Sequence, residues 1–199
     1  TEFKEQVQKW QKALQDWKRE QSEWKHPMRR KELLARKQKA KAAAKGEEAA
    51  EGEEKEAAAP MEIDMDELDV FSVEDVTDVG NGEPLFANFA HEDWTLMAAR
   101  YEIHLLLHSF KKDLNDPDRP SFVEAHLQFY YQKYFKNPLH LKMFGVDSVA
   151  GLAKLIGDAF RIDEKSGFIE ASLEDDKSIA YFCQTTESQR RERERRLDA

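Results

Sequence analysis

Cysteine occurs once in the 199 residues, at Cys183. An intrachain disulfide is therefore impossible, a secreted disulfide framework is excluded, and the expected compartment is a reducing one. Long apolar runs are missing as well. Nothing approaches the ~20 consecutive apolar residues needed to span a bilayer, and no signal-peptide core opens the chain. The expectation is a soluble, intracellular protein, cytoplasmic or nuclear. Glycine is scarce at eight residues, and its one tight cluster, GNGEP at 80–84, lacks both the lysine and the following helix of a phosphate-binding loop. The chain starts at Thr1 and ends in mid-pattern with RRERERRLDA, as a segment of a longer protein would.

Catalytic and metal-binding patterns are equally sparse. His104 and His108 stand four apart, a spacing that places two imidazoles on one helix face. No H-E-x-x-H pattern or cysteine pair completes a tetrahedral site, so a structural pair is the expectation. Cys183 has no neighbouring basic group to lower its pKa. The carboxylates lie in solvated or low-complexity stretches, and no two of them stand out as an acid and base. The expectation is a protein with no cofactor, no metal and no enzymatic activity; a metal-dependent enzyme is the weakest alternative.

What is abundant is charge, at 36% of residues, with a mean hydropathy of −0.80. That leaves room for about one ordinary domain with polar extensions. The net charge of −9 is unevenly divided: +8 over 1–45, −13 over 46–80, −5 over 81–186 and +1 over 187–199. Those four segments are also the expected parts of the chain, namely a helix with a basic arm, an acidic linker, a folded domain, and a charged C-terminal helix or tail.

In the first part Phe3, Val7, Trp10, Leu14, Trp17, Gln21 and Trp24 alternate in steps of four and three, the seam of a heptad. Three tryptophans in one register offer a large apolar surface. It is expected either to bind a partner protein, a second copy included, through Phe3, Trp10, Leu14, Trp17 and Trp24, or to pack on its own domain. His26-Pro27 ends the helix. The basic, alanine-rich stretch 28–45 that follows has helical propensity but hardly any apolar face, and Arg29, Arg30 and Lys31 are candidate phosphate contacts. Residues 46–60 are acidic and low in complexity, and are expected to be disordered. The acidic-hydrophobic segment 61–79 either binds partners or docks on the domain through DVFSVEDV. Leu85, Phe86 and Phe89 are expected in the core of a domain beginning near Leu85.

A helix over about 92–114 has apolar residues on two faces, Trp94, Met97, Tyr101 and Leu105 on one and Leu96, Ile103, Leu107, Phe110 and Leu114 on the other. It is expected at the centre of the domain. Ser121 and Glu124 stand at capping-box spacing and predict a helix over 121–135, stopped by Asn137-Pro138. A further helix is predicted over 148–159, then a hairpin over 159–173 turning at Gly167. The order of helices and hairpin is that of a winged helix-turn-helix. The fold class expected is mainly α (α+β), with an N-terminal amphipathic helix and a disordered acidic linker.

The stretch from 94 to 173 resembles the LOTUS (OST-HTH) family. The resemblance rests on Tyr131 to Phe135, Leu139 and Leu141, then Phe144-Gly145-Val146, then Leu152, Leu155 and Ile156, and a wing at 159–173. It implies an RNA-binding module, G-rich RNA included, or one that docks an RNA helicase. Some members use an added C-terminal helix for that docking, and 187–199 is placed where such a helix would stand. The net charge of −5 over 81–186 opposes a polyanion at long range. Any RNA contact is therefore assigned to Lys133, Lys136, Lys142 and Lys154 or to the basic arm. The rival reading is a protein-interaction or structural module of a larger assembly that never touches nucleic acid.

Overall fold

The computed structural model describes residues 1–44 and 62–199; the disordered linker expected over 46–60 lies outside the described residues. The described chain is mainly helical, with six α-helices and one two-stranded sheet. It divides into two compact units, one made of Gln6–Asn88 and the other of Thr1–Glu5 with Phe89–Ala199. No described helix is long and apolar enough to cross a membrane.

The Gln6–Asn88 unit is built on a helical hairpin. Helix α1 (Glu2–Lys25) ends where the sequence predicts, and Pro27 opens α2 (Pro27–Ala44) at the position where a missing amide costs nothing. The pairs Glu23–Arg36 (2.6 Å) and Glu20–Lys37 fold α2 back along α1. Residues 62–88 of this unit form a strap. Val70, Val73 and Val76 are buried, and Asp69 caps the 3-10 turn Val70–Ser72 by accepting the Phe71 amide at 3.1 Å. DVFSVEDV therefore packs through its three valines as part of the Gln6–Asn88 unit, and not as an arm counted with the later domain, while Phe71 stays 52% exposed. Leu85 and Phe86 are buried in this unit and not in the domain that the sequence predicts to begin with them. Trp17 stacks on Phe86 with ring centres 5.5 Å apart, and Gln21 donates its amide to the Phe86 and Ala87 carbonyls at 3.1 and 3.3 Å.

The GNGEP break is a cation-sealed turn. The Asp78 carboxylate accepts the Gly80 and Gly82 amides at 2.9 and 2.8 Å and pairs with Lys41 at 2.6 Å. Partial burial works against its charge, but these donors outweigh that and hold its pKa below the usual range. Gly82 has φ +88°, and a Cβ there would meet Leu34 Cδ2 at 2.1 Å, so any other residue strains the backbone and displaces the Leu34 side chain.

In the Phe89–Ala199 unit, α3 (His91–Leu114) runs through the core. Ile103, Leu106, Phe110, Phe122, Leu127, Leu152, Ile156, Phe160 and Ile169 form one apolar cluster, each side chain contributing about 1.5–3 kcal/mol by leaving water. The bounds of three expected elements are corrected. The predicted helix 121–135 is α4 (Leu127–Phe135), preceded by a 3-10 turn at Glu124–His126. Ser121 does not cap it: its hydroxyl donates to the Ile169 carbonyl. Residues 122–124 instead run beside the hairpin, with the Ile169 amide donating to Phe122 at 2.9 Å, the Glu124 amide to Gly167 at 3.1 Å, and Val123 bridging Phe168. The predicted helix 148–159 is α5 (Val149–Leu155), capped by Ser148, whose oxygen accepts the Gly151 amide at 3.0 Å. The charged helix or tail expected over 187–199 is helical, but it is the outer part of a helix that starts earlier, α6 (Ile179–Asp198), which buries Phe182, Cys183, Thr186, Glu187 and Arg190. A domain edge at 186 therefore falls inside a helix.

The hairpin forms as predicted. Strands β1 (Phe160–Ile162) and β2 (Ile169–Ala171) pair antiparallel, with Arg161 opposite Glu170, and Gly167 supplies φ +71° in the turn.

Candidate functional site

The sequence-predicted basic residues fall into three groups. Lys133 and Lys136 close α4, and Lys142 sits in the 3-10 turn Leu141–Phe144 that follows; all three are exposed. Two large apolar side chains are exposed among them, Phe129 at 62% and Met143 at 59%. On α4, Phe129 and Lys133 are spaced i and i+4 and share one face, and Lys136 follows at the C-cap, where the backbone turns left-handed at φ +62°. Lys154 lies on α5, at a different place in the unit. Arg29, Arg30 and Lys31 belong to the other unit, in the first turns of α2. Arg30 is committed locally: it lies over the Trp24 ring at 4.7 Å and donates to the Trp24 carbonyl at 2.6 Å. Further along α2, Lys37 donates to the Thr77 and Gly82 carbonyls at 2.5 and 2.9 Å. Part of the basic arm is thus spent on holding the strap.

The heptad seam meets its own chain at several points. Phe3 stands edge-on to Tyr134 and Phe135, with ring centres 5.1 and 5.4 Å away, inside the Phe89–Ala199 unit. Trp10 is 1% exposed, Trp17 is on Phe86, Trp24 is half-buried under Arg30, and Leu14 is half-buried.

A feature the sequence did not reveal is a cleft of about 730 Å³ among α3, α5 and α6. At its base lies Arg100, 1% exposed. Its Nε and Nη2 donate to the two oxygens of Asp158 at 3.0 and 3.3 Å, Nη1 to Thr186 Oγ1 at 2.9 Å and Nη2 also to Gln189 Oε1 at 2.8 Å. Gln189 in turn donates to the Leu155 carbonyl at 2.9 Å. A buried guanidinium is tolerated because its donors are met, and in meeting them it ties α3 to α6 and to the end of α5. Around the mouth stand Lys154, Arg193, Arg195 and Arg196. Arg193 is paired with Asp93 at 3.0 Å, while Arg195 and Arg196 share the single carboxylate of Glu192 at 3.7 and 3.1 Å. The sequence signal was the Arg/Glu spacing of 187–196, but not which charges are internal. Glu187, almost fully buried, takes Arg190 and Arg191 at 2.7 and 2.8 Å, and that contact raises the Arg190 pKa.

The histidine pair is internal. The His104 and His108 rings meet at 4.5 Å, His104 also packs on Phe182, and His108 Nε2 is 2.9 Å from the Leu173 carbonyl. Burial, and secondarily His108, lowers the His104 pKa to about 4. Burial likewise pushes the Cys183 thiol up, which keeps it protonated and unreactive. Among the described residues no group of three His, Cys, Asp or Glu is arranged to hold a metal. No family model, curated protein or solved structure matches this chain.

Proposed function

We propose that the Phe89–Ala199 unit is a winged helix-turn-helix module of the LOTUS kind, and that the chain is a non-catalytic RNA-associated adaptor inside the cell. It binds RNA directly or through an RNA helicase. The observation that carries the reading is the exposed Phe129 and Lys133 on one face of α4, followed by the exposed Lys136, Lys142 and Met143. The Phe129 ring meets Tyr130 edge-on at 5.1 Å and is otherwise open to solvent, and an exposed ring near ammonium groups suits a base stacked next to its phosphates. The pairing of 122–124 with the β1–β2 hairpin, beside three helices, supports the winged-helix assignment.

The test is a gel shift of the full chain with single-stranded RNA, a G-rich oligonucleotide included. The expected result is salt-sensitive binding that weakens about tenfold or more in Lys133→Glu/Lys136→Glu/Lys142→Glu, with a shallower salt slope, since each lost phosphate contact reduces counterion release. Phe129→Ala should weaken binding with less change in slope. Absence of binding at low salt would favour the second reading, a protein-interaction module without nucleic-acid contact, to which the net charge of −5 over 81–186 already points.

A further inference from the structure

The cleft among α3, α5 and α6 combines two chemistries. Its apolar lining is aliphatic, from Leu96, Leu155 and Leu197, the last 79% exposed. Its mouth is cationic, from Lys154, Arg195 and Arg196. The buried Arg100 is satisfied by Asp158, Thr186 and Gln189 and contributes shape more than free charge. At the mouth the balance is different, because Arg195 and Arg196 divide one carboxylate between them. Cations are left over just where leucines face an open space.

We infer that this cleft is a docking site for an acidic amphipathic helix of a partner protein, whose leucine-type side chains enter the cleft while its carboxylates meet Lys154, Arg195 and Arg196. The size fits: about 730 Å³ lies within the range of specific binding pockets and suits the few anchors that one helical face presents. The lining decides between acidic ligands. Single-stranded nucleic acid is held by aromatic faces that stack its bases, and among the described residues no aromatic side chain lines this cleft. A peptide supplies the aliphatic groups that leucines bury and the carboxylates that guanidinium groups grip in pairs. The site is separate from the α4 face and does not depend on RNA binding there.

The test uses the full chain and a fluorescein-labelled helical peptide with leucine at i, i+3, i+4 and i+7 and glutamate elsewhere, followed by fluorescence anisotropy. Binding should reach the micromolar range. It should weaken about tenfold or more in Arg195→Glu/Arg196→Glu and several-fold in Leu197→Ala; both substitutions are at exposed positions and should leave the melting temperature in place. A peptide with glutamine for every glutamate should bind more weakly, and Lys133→Glu/Lys136→Glu/Lys142→Glu should bind the acidic peptide as the unaltered chain does. Failure of the unaltered chain to bind the peptide would overturn the inference, as would equal binding by the charge-reversed variant. Displacement of the bound peptide by RNA in the Lys133→Glu/Lys136→Glu/Lys142→Glu chain would also overturn it, by showing that the cleft reads polyanions in general.

Discussion

Helices α1 and α3 are both 24 residues long, yet α1 buries only Trp10 and Gln21 while α3 buries fourteen residues, Asp93, Arg100 and His104 among them. The sharper sequence pattern belongs to α1, with its tryptophan seam and polar back. The deeper burial belongs to α3, whose apolar residues surround it. A narrow stripe is covered by one neighbour, here partly the Phe86 strap, whereas a helix apolar on two faces must be enclosed by several. Enclosure also changes what a polar residue costs. Gln21 donates to two carbonyls of a strap, but Arg100 is a charge kept out of water, for which Asp158, Thr186 and Gln189 must all be in place.

The largest effect is expected where that enclosed charge is broken. Arg100→Ala leaves Asp158 without its partner and should cost about 3–5 kcal/mol, read from urea unfolding with hydrogen exchange. Protection should fall along α3 and α6 while α1 keeps its own. Equal loss in both would show that the two units unfold as one.

Next is the pH dependence of His104. The fold holds it neutral, with its pKa lowered to about 4, whereas the unfolded chain titrates near 6.5. Its contribution is complete above about pH 6.5 and disappears as pH falls towards 4, because over that window only the unfolded state takes up the proton; the span is up to about 3 kcal/mol. His104→Gln should flatten that part of the stability profile, and an unchanged profile would mean that the ring is solvated.

A smaller change is expected from Gly82→Ala, which puts a methyl group against Leu34 and strains a positive φ. About 2 kcal/mol is expected, seen as faster exchange in the strap and α2 and not in α3. The smallest is Gln21→Ala, at about 1 kcal/mol, since what the Phe86 and Ala87 carbonyls lose is one neutral amide donor and no charge. A cost matching that of Arg100→Ala would erase the contrast between the two helices.

Much of this was legible in local residue patterns. The His26-Pro27 break, the two-faced character of 92–114, the stop at Pro138 and the hairpin turning at Gly167 each depend on a residue's own backbone or on periodicity within one element. Ser121 was misread for the opposite reason. Its spacing to Glu124 fits a cap, but a cap competes with any other acceptor in reach, and the Ile169 carbonyl, 48 residues away, takes its hydroxyl. The contacts made by α2 were hidden for the same reason. Nothing local to Lys37 or Lys41 announces the Thr77 carbonyl or Asp78.

The sequence by itself determined the element types, the turns, the absence of a disulfide and the uneven charge, because these follow from composition and from spacings of a few residues. Only the tertiary structure decided which charges are internal and which are on offer. Arg100, Glu187 and Arg190 are carried inside by α3 and α6, while Lys133, Lys136, Arg195 and Arg196 stay at the surface. An arginine's cost or use depends on its distance from water and from a carboxylate, and both distances are set by residues far away in the chain.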